Sequence, residues 1–274
     1  MNIASLSSSS TYGNAYIVWE DSKRPILIDC GMSLKRMVAS LEALGMTPRD
    51  LAALFITHEH SDHVRALCLK NPLPEKYHIP VYASRGFWEW YLNYRGYRID
   101  LSLVNVVESG QRVRTEGYRV QAFSKPHDAL DPLGFIVEGS TGRVCFVMDL
   151  GHVPYPLEAL LRGTEYLFFE SNHDVDMELR SGRPRPLIDR VLGAQGHLSN
   201  TQAADSISRL ATKDTREIVL CHLSIDCNSP EVALTAVQSG LKRAGLSPVL
   251  SVAPPGELAV YGSGRAVSHS RASS

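Results

Sequence analysis

Four metal-binding side chains crowd into six residues directly after a buried apolar run. Leu51 to Ile56 is followed by Thr57 and then His58-Glu59-His60-Ser61-Asp62-His63. An apolar run of that length reads as a strand buried on both faces, so the cluster emerges at a strand end. His58 and His60 stand two residues apart, which in an extended chain points both imidazoles to one side. Asp62 and His63 follow where the chain is expected to turn into a helix starting near Val64. A solvated polar loop is the plain alternative, but three imidazoles and a carboxylate serve little purpose there. The residue types are those that hold zinc, manganese or iron.

One cluster cannot fill two metal positions, so further ligands are sought at other strand ends. His127 follows the strand that runs to Phe123, in Pro126-His127-Asp128. Asp149 ends the apolar run Val144 to Met148, and His222 ends Ile218 to Cys221. Each alone is equally well a capped strand end. With the cluster, they describe an active site along one edge of a sheet.

The rest of the chain reads as one α/β domain over residues 1–262. Ala15 to Trp19, Pro25 to Asp29, Leu51 to Ile56 and Ile79 to Ala83 read as strands. Leu34 to Leu44 carries apolar residues at helical spacing, and Gly45 suits its stop. Leu103 to Val147 is β-rich, with period-two runs broken by Gly and Pro. Strand and helix then alternate: Tyr166 to Phe169, Thr201 to Leu210, Ile218 to Cys221, Pro230 to Ala244. Residues 263–274 lack any apolar period and read as a disordered tail. The formal net charge of −1 gives no bulk support for a polyanionic partner, so any basic surface must be local. No window approaches the roughly 20 apolar residues that span a bilayer, and the first residues lack a secretory pattern. The five cysteines form no C-x-x-C pair, and Cys30, Cys145 and Cys221 lie in apolar runs, as reduced thiols of a cytoplasmic protein would.

The order strand–Asp29, HxHxDH, His127, Asp149, His222 resembles the five-motif pattern of the metallo-β-lactamase superfamily. The resemblance implies an αββα four-layer sandwich of two similar halves and two divalent metal ions per chain. It implies that His58, His60 and His127 hold one metal and Asp62, His63 and His222 the other, with Asp149 bridging. Asp29 resembles the acid that orients ligands from behind.

Ile28 to Lys35, Pro126-His127-Asp128, Met148 to His152, Glu170 to Asp174 and Gly196 to Asn200 resemble the YycJ/VicX (WalJ) subgroup. That subgroup is related to RNase J- and RNase Z-type nucleases. The resemblance implies a metal-dependent phosphodiesterase acting on nucleic acid, DNA rather than RNA, as a 5′-to-3′ exonuclease. A glyoxalase II-like thioesterase or other small-molecule metallohydrolase is the alternative, and a non-enzymatic regulator is disfavoured by the intact ligand set. The turn Ser8 to Asn14 departs from the subgroup's Ser-Gly-Ser-x-Gly-Asn pattern. No β-CASP insertion fits between Asp149 and His222. In the expected mechanism two metals activate a water, Asp62 orients it, and His197 gives a proton to the leaving group. A helix-capping role is the other reading of His197. His173 is a candidate for orienting neighbouring groups or facing substrate, and His152 is equally well structural. Arg180, Arg183 and Arg185, with Arg190, lie in a Pro/Gly-broken stretch that suits either phosphate contact or a solvated basic loop. The aromatic stretch from Phe87 to Tyr97 reads as a helix packing its rings inward rather than as a base-stacking platform.

Overall fold

A computed structural model describes residues 1–263, so the expectation for the tail falls, Ser263 apart, outside the described residues. Its strands are β1 (Asn2–Ser7), β2 (Ala15–Trp19), β3 (Ile26–Ile28), β4 (Ala53–Phe55), β5 (Val81–Ala83), β6 (Val104–Val106) and β7 (Arg112–Thr115). They continue as β8 (Tyr118–Ser124), β9 (Leu133–Glu138), β10 (Arg143–Val147), β11 (Tyr166–Glu170), β12 (Glu217–Cys221), β13 (Val249–Val252) and β14 (Ala259–Gly262). The helices are α1 (Leu34–Ala43), α2 (Ser61–Val64), α3 (Leu73–Tyr77), α4 (Arg85–Trp88), α5 (Tyr155–Leu161), α6 (Val175–Leu179), α7 (Arg185–Leu192), α8 (Asn200–Leu210) and α9 (Pro230–Arg243).

The strands form two seven-stranded sheets, ordered β14-β1-β2-β3-β4-β5-β6 and β13-β12-β11-β10-β9-β8-β7. The first sheet runs through antiparallel pairs from β14 to β3 and parallel pairs from β3 to β6. The second repeats the pattern, antiparallel from β7 to β10 and parallel from β10 to β13. The halves therefore match strand for strand, with β3 equivalent to β10 and β1 to β8. One apolar cluster, with Tyr16, Phe55, Phe135, Phe146 and Phe168, lies between the sheets. The outer faces carry their own clusters, one against α1 and α4, the other against α5, α8 and α9. Burial on both faces explains why the parallel strands read as unbroken apolar runs. The expected αββα sandwich is the observed fold.

Local differences have physical causes. The helix after the histidine cluster begins at Ser61 rather than near Val64, so Asp62 and His63 ride on α2. β1, β7, β13 and β14 carry no alternation strong enough to mark them in sequence; they are recruited by neighbours. The stretch around Arg180 is not simply a loop: Pro186 sits in the first turn of α7, where its missing N–H costs nothing. The aromatic stretch is helical from Arg85 and continues as a π-helical turn over Glu89–Tyr94, with Phe87, Trp88 and Tyr91 buried. No helix among the described residues is long and apolar enough to cross a membrane.

Candidate metal centre

Strand polarity puts every donor on one edge. Because β1, β3 and β4 run in one direction and β8, β10, β11 and β12 share theirs, the turns leaving all of them converge where the two sheets meet. Asp29, Asp149 and His222, each just past a strand, adopt left-handed backbone with φ of 60°, 57° and 56°. Such conformations are uncommon away from glycine and persist where surrounding contacts over-determine them. Here Asp29 N–H donates to Phe55 O at 2.8 Å and His222 N–H to Ser8 Oγ at 2.9 Å. The crowding is tightest at Gly31, where an added Cβ would lie 1.5 Å from Asp62 O, so no side chain fits.

The donors collect in two groups. His60 Nδ1 is 3.1 Å from His58 Nε2 and 3.2 Å from His127 Nε2, so three imidazole nitrogens face a common point. Asp62 Oδ2 lies 3.4 Å from both His63 Nε2 and His222 Nε2. Asp149 stands between the groups: its Oδ2 is 3.2 Å from His63 Nε2, and it also clusters with His58. That Oδ2 is buried and has no hydrogen-bond partner among the described residues. His63 Nε2 at 3.2 Å and Lys125 Nζ at 3.8 Å are its nearest cationic neighbours, and a buried carboxylate oxygen without a well-aligned donor is costly unless a closer cation shares it. The residues therefore fit divalent metal.

The far nitrogens of these rings are held so that the near ones are free to bind. His63 Nδ1 is 2.7 Å from Asp29 Oδ2. Thr57 donates to Asp29 through its N–H (2.8 Å) and its hydroxyl (2.9 Å), and its Oγ1 lies 2.9 Å from His58 Nδ1. His127 Nδ1 faces the carbonyls of Gln195 and Gly196 at 3.1 and 3.3 Å. Glu170, fully buried, lies 2.9 Å from His222 Nδ1 and 2.8 Å from His197 Nδ1 through the same oxygen, and its other oxygen accepts from Leu198 N–H at 2.9 Å. Such partners select the tautomer and raise ligand basicity.

Glu170, Thr57, Asn14 and Lys125 were missed as site residues in the sequence. Glu170 carried the same signal as Asp149, an acid at the tip of an apolar strand. Asn14 belongs to the altered serine-rich turn. Its Oδ1 accepts from Ser9 N–H at 3.0 Å, which turns its amide nitrogen to Asp62 Oδ2 at 3.1 Å and beside His63 Nε2 at 3.2 Å. Lys125 is buried, donates to Met148 O at 2.6 Å and lies 3.8 Å from Asp149 Oδ2.

Electrostatics divide the two groups. Burial pushes the His58 and His60 imidazoles down and takes His127 to about 3, leaving them in the neutral form that binds metal. Burial acts the same way on His63 and His222, but carboxylates outweigh it. Asp149, Asp29 and Asp62 raise His63, and Asp149, Asp62 and Glu170 raise His222 to about 10. Burial alone would lift the Glu170 carboxyl, yet His197 and His222 hold it near 2.

The remaining candidates are placed as follows. His197 is half-buried, as are His60 and Asp62, with 12% of its side chain accessible, and its ring lies 5.4 Å from His127 and 5.3 Å from His222. His173 is buried without a hydrogen-bond partner for either ring nitrogen among the described residues; its backbone pairs with Ser199 ahead of α8. His152 is exposed, with Nδ1 3.1 Å from Ala194 O. Arg183 is ion-paired with Glu178 at 3.1 Å and Asp226 at 2.8 Å, Arg185 with Asp189 at 2.9 Å, and Arg190 with Asp128. Arg180 is exposed.

A family model described as a beta-lactamase superfamily domain matches residues 24–223. The chain is 33% identical over 247 residues to the exodeoxyribonuclease YycJ of Bacillus anthracis, covering 89% of this chain and 90% of that protein. It is 31% identical over 245 residues to the exodeoxyribonuclease WalJ of Streptococcus pneumoniae, covering 88% and 89%. The metallo-beta-lactamase fold protein YhfI of Bacillus subtilis superposes with a TM-score of 0.70 at 13% identity, over 95% of this chain and 99% of that one. With its ligand-type residues gathered at one edge of a duplicated sheet framework, the chain belongs to the metallo-β-lactamase superfamily, in the group that contains YycJ and WalJ.

Proposed function

We propose that residues 1–262 form one catalytic domain, a two-metal DNA nuclease that degrades DNA exonucleolytically from the 5′ end. The observation that carries this reading is His197. It is a half-buried imidazole of the edge outside the two donor groups, its Nδ1 is held 2.8 Å from buried Glu170, and its ring lies 5.4 Å from that of His127 and 5.3 Å from that of His222. A positioned imidazole beside the metal donors suits protonation of a departing alkoxide, which phosphodiester cleavage requires. The likeness to relatives named exodeoxyribonucleases supports DNA as the substrate class.

His58, His60 and His127 would hold one metal, Asp62, His63 and His222 the other, and Asp149 both; zinc, manganese or iron suits these donors. Bound there, the metals supply Lewis acidity that makes water a nucleophile at neutral pH and offset charge on the phosphate. Asp62, steadied by Asn14, orients the attacking water. Glu170 accepts from His197 Nδ1, which fixes the ring so that Nε2 faces substrate. Arg180, exposed near α6, is available to a phosphate, whereas Arg183 and Arg185 would first have to leave their carboxylates. All five cysteines are free, which suits a cytoplasmic setting.

The test is degradation of 5′-labelled single- and double-stranded DNA with added manganese or zinc. Release of short labelled products from the 5′ end is expected, and His197→Ala should slow it by about 100-fold or more with metal still bound. No cleavage under any metal, alongside turnover of a thioester, would overturn the reading.

A further inference from the structure

An unbalanced arginine face lies on the second sheet, away from the metal edge. The register places Arg114 of β7 opposite Arg119 of β8, Arg119 opposite Glu138 of β9, and Glu138 opposite Arg143 of β10. Arg112 stands one rung along, opposite Gln121. Val113, Val120, Val137 and Val144 point into the core between the sheets, so alternation turns the arginines to the outer face. Four guanidinium groups, those of Arg112, Arg114, Arg119 and Arg143, therefore face two carboxylates, Glu138 and Glu116, and Glu116 is already paired with Arg24 at 3.6 Å.

Their partners leave most of that charge uncompensated. Arg119 pairs with Glu138, while Arg112 donates to Gln121 Oε1 at 3.2 Å and Arg143 to Leu160 O at 2.7 Å, both neutral acceptors. The Arg114 side chain has no ion pair or hydrogen bond among the described residues. Arg114 and Arg119 are direct cross-strand neighbours, with Cβ atoms about 5 Å apart, and like charges so placed are destabilising. A depression of about 410 Å³ opens here, lined by Arg112, Arg119, Gln121, Glu138 and Arg143. The whole chain carries a formal charge of only −1, so the face is not the local share of a basic protein. The contrast with the basic stretch at 183–190 is direct, since there each arginine has a carboxylate of its own.

We propose that this face binds the phosphodiester backbone of nucleic acid at a second site, outside the metal edge. The inference rests on the nuclease reading for its choice of polyanion. Guanidinium forks match phosphate oxygens, and the absence of aromatic side chains in the depression's lining favours backbone over base contact. Asp149 follows Arg143 by six residues in sequence, so the face lies about 20 Å from the metals at roughly 3.3 Å per residue. That distance corresponds to about six nucleotides at ~3.4 Å each.

The experiment compares wild type with R112E/R114E, using fluorescence anisotropy and turnover on single- and double-stranded DNA of about 4 and about 30 nucleotides. Charge reversal leaves β7 a charged edge strand, so protection against strand pairing is retained while phosphate attraction is lost. The variant should bind the long DNA at least about tenfold more weakly, with the slope of log affinity against log salt reduced by about 2. Its kcat and KM on the short DNA should match wild type. Unchanged long-DNA affinity and salt slope in a cleaving enzyme would overturn this inference alone. An equal loss on short and long DNA would also overturn it, and inorganic phosphate that competes as well as DNA would make the face a free-phosphate site instead. A wild-type protein that neither binds nor cleaves DNA would overturn the nuclease reading together with it.

Discussion

His58, His60 and His127 meet as three desolvated, neutral imidazoles, whereas Asp62, His63 and His222 meet as a charged cluster interlaced with Asp149 and Glu170. Both groups grow from the same strand framework, yet they are prepared for a metal in opposite ways. Burial, helped by Lys125, readies the first: with His127 held near 3, no proton has to leave at neutral pH. The second stores its charge as ion pairs, with His222 raised to about 10, so a metal must displace protons to enter. The difference teaches that one edge can hold two donor sets with separate pH responses, set by which carboxylates lie behind the rings.

The comparison breaks most readily at Asp149. In the metal-free protein, Asp149→Ala should cost about 3–5 kcal/mol, because His63 and His222 lose a buried counter-charge. His60→Ala, which removes a neutral ring, should cost about 1 kcal/mol. Urea unfolding of both variants checks this; equal losses would mean that the two groups are not electrostatically distinct. Asp149→Ala should also abolish turnover if, as proposed, both metals share that carboxylate.

Glu170→Gln sharpens the contrast. It should weaken metal at the Asp62/His63/His222 position by about 10- to 100-fold and leave the three-histidine position unchanged. Cobalt titration followed by absorption reads the two positions separately, and equal weakening of both would refute the assignment.

The pH response follows from the same shifts. Affinity at the second position should rise about tenfold per pH unit for each proton displaced. Affinity at the first should stay flat between pH 6 and 8. The sign for folding is the reverse of that for metal binding. His222 is raised from 6.5 to about 10, so its contribution to metal-free stability is complete below 6.5 and is lost as pH rises through 10. The thermal midpoint of the metal-free protein should therefore fall on going from pH 7 to pH 10, and a midpoint that rises would contradict the paired state of His222.

Asn14→Ala should have the smallest effect, about a tenfold loss at the second position alone. Its amide steadies Asp62 without contacting the other group, so stoichiometric metal analysis at limiting zinc is the sensitive measurement.

Much of this was legible in sequence because the signals are local. Apolar runs ending in His or Asp mark strand tips whatever the rest of the chain does, and His58 to His63 declares a donor set by residue type and spacing. The weak strands were not legible: Arg112–Thr115 and Ala259–Gly262 lack a strong apolar alternation and exist because a neighbouring strand offers hydrogen bonds. The basic stretch at 183–190 reads as free charge in sequence, since Asp128 and Asp226 come to it only in the fold.

The opening feature shows the same division. Sequence by itself determined that His58, His60, Asp62 and His63 gather at a strand end, and that His127, Asp149 and His222 sit at others. Only tertiary structure decided which ring nitrogen each histidine presents and how strongly each holds its proton. Those properties depend on partners far along the chain, such as Asp29 behind His63, Glu170 behind His222, and Ser8 accepting from the His222 backbone 214 residues away. Ligand type is a property of a residue, while tautomer and charge are properties of its surroundings.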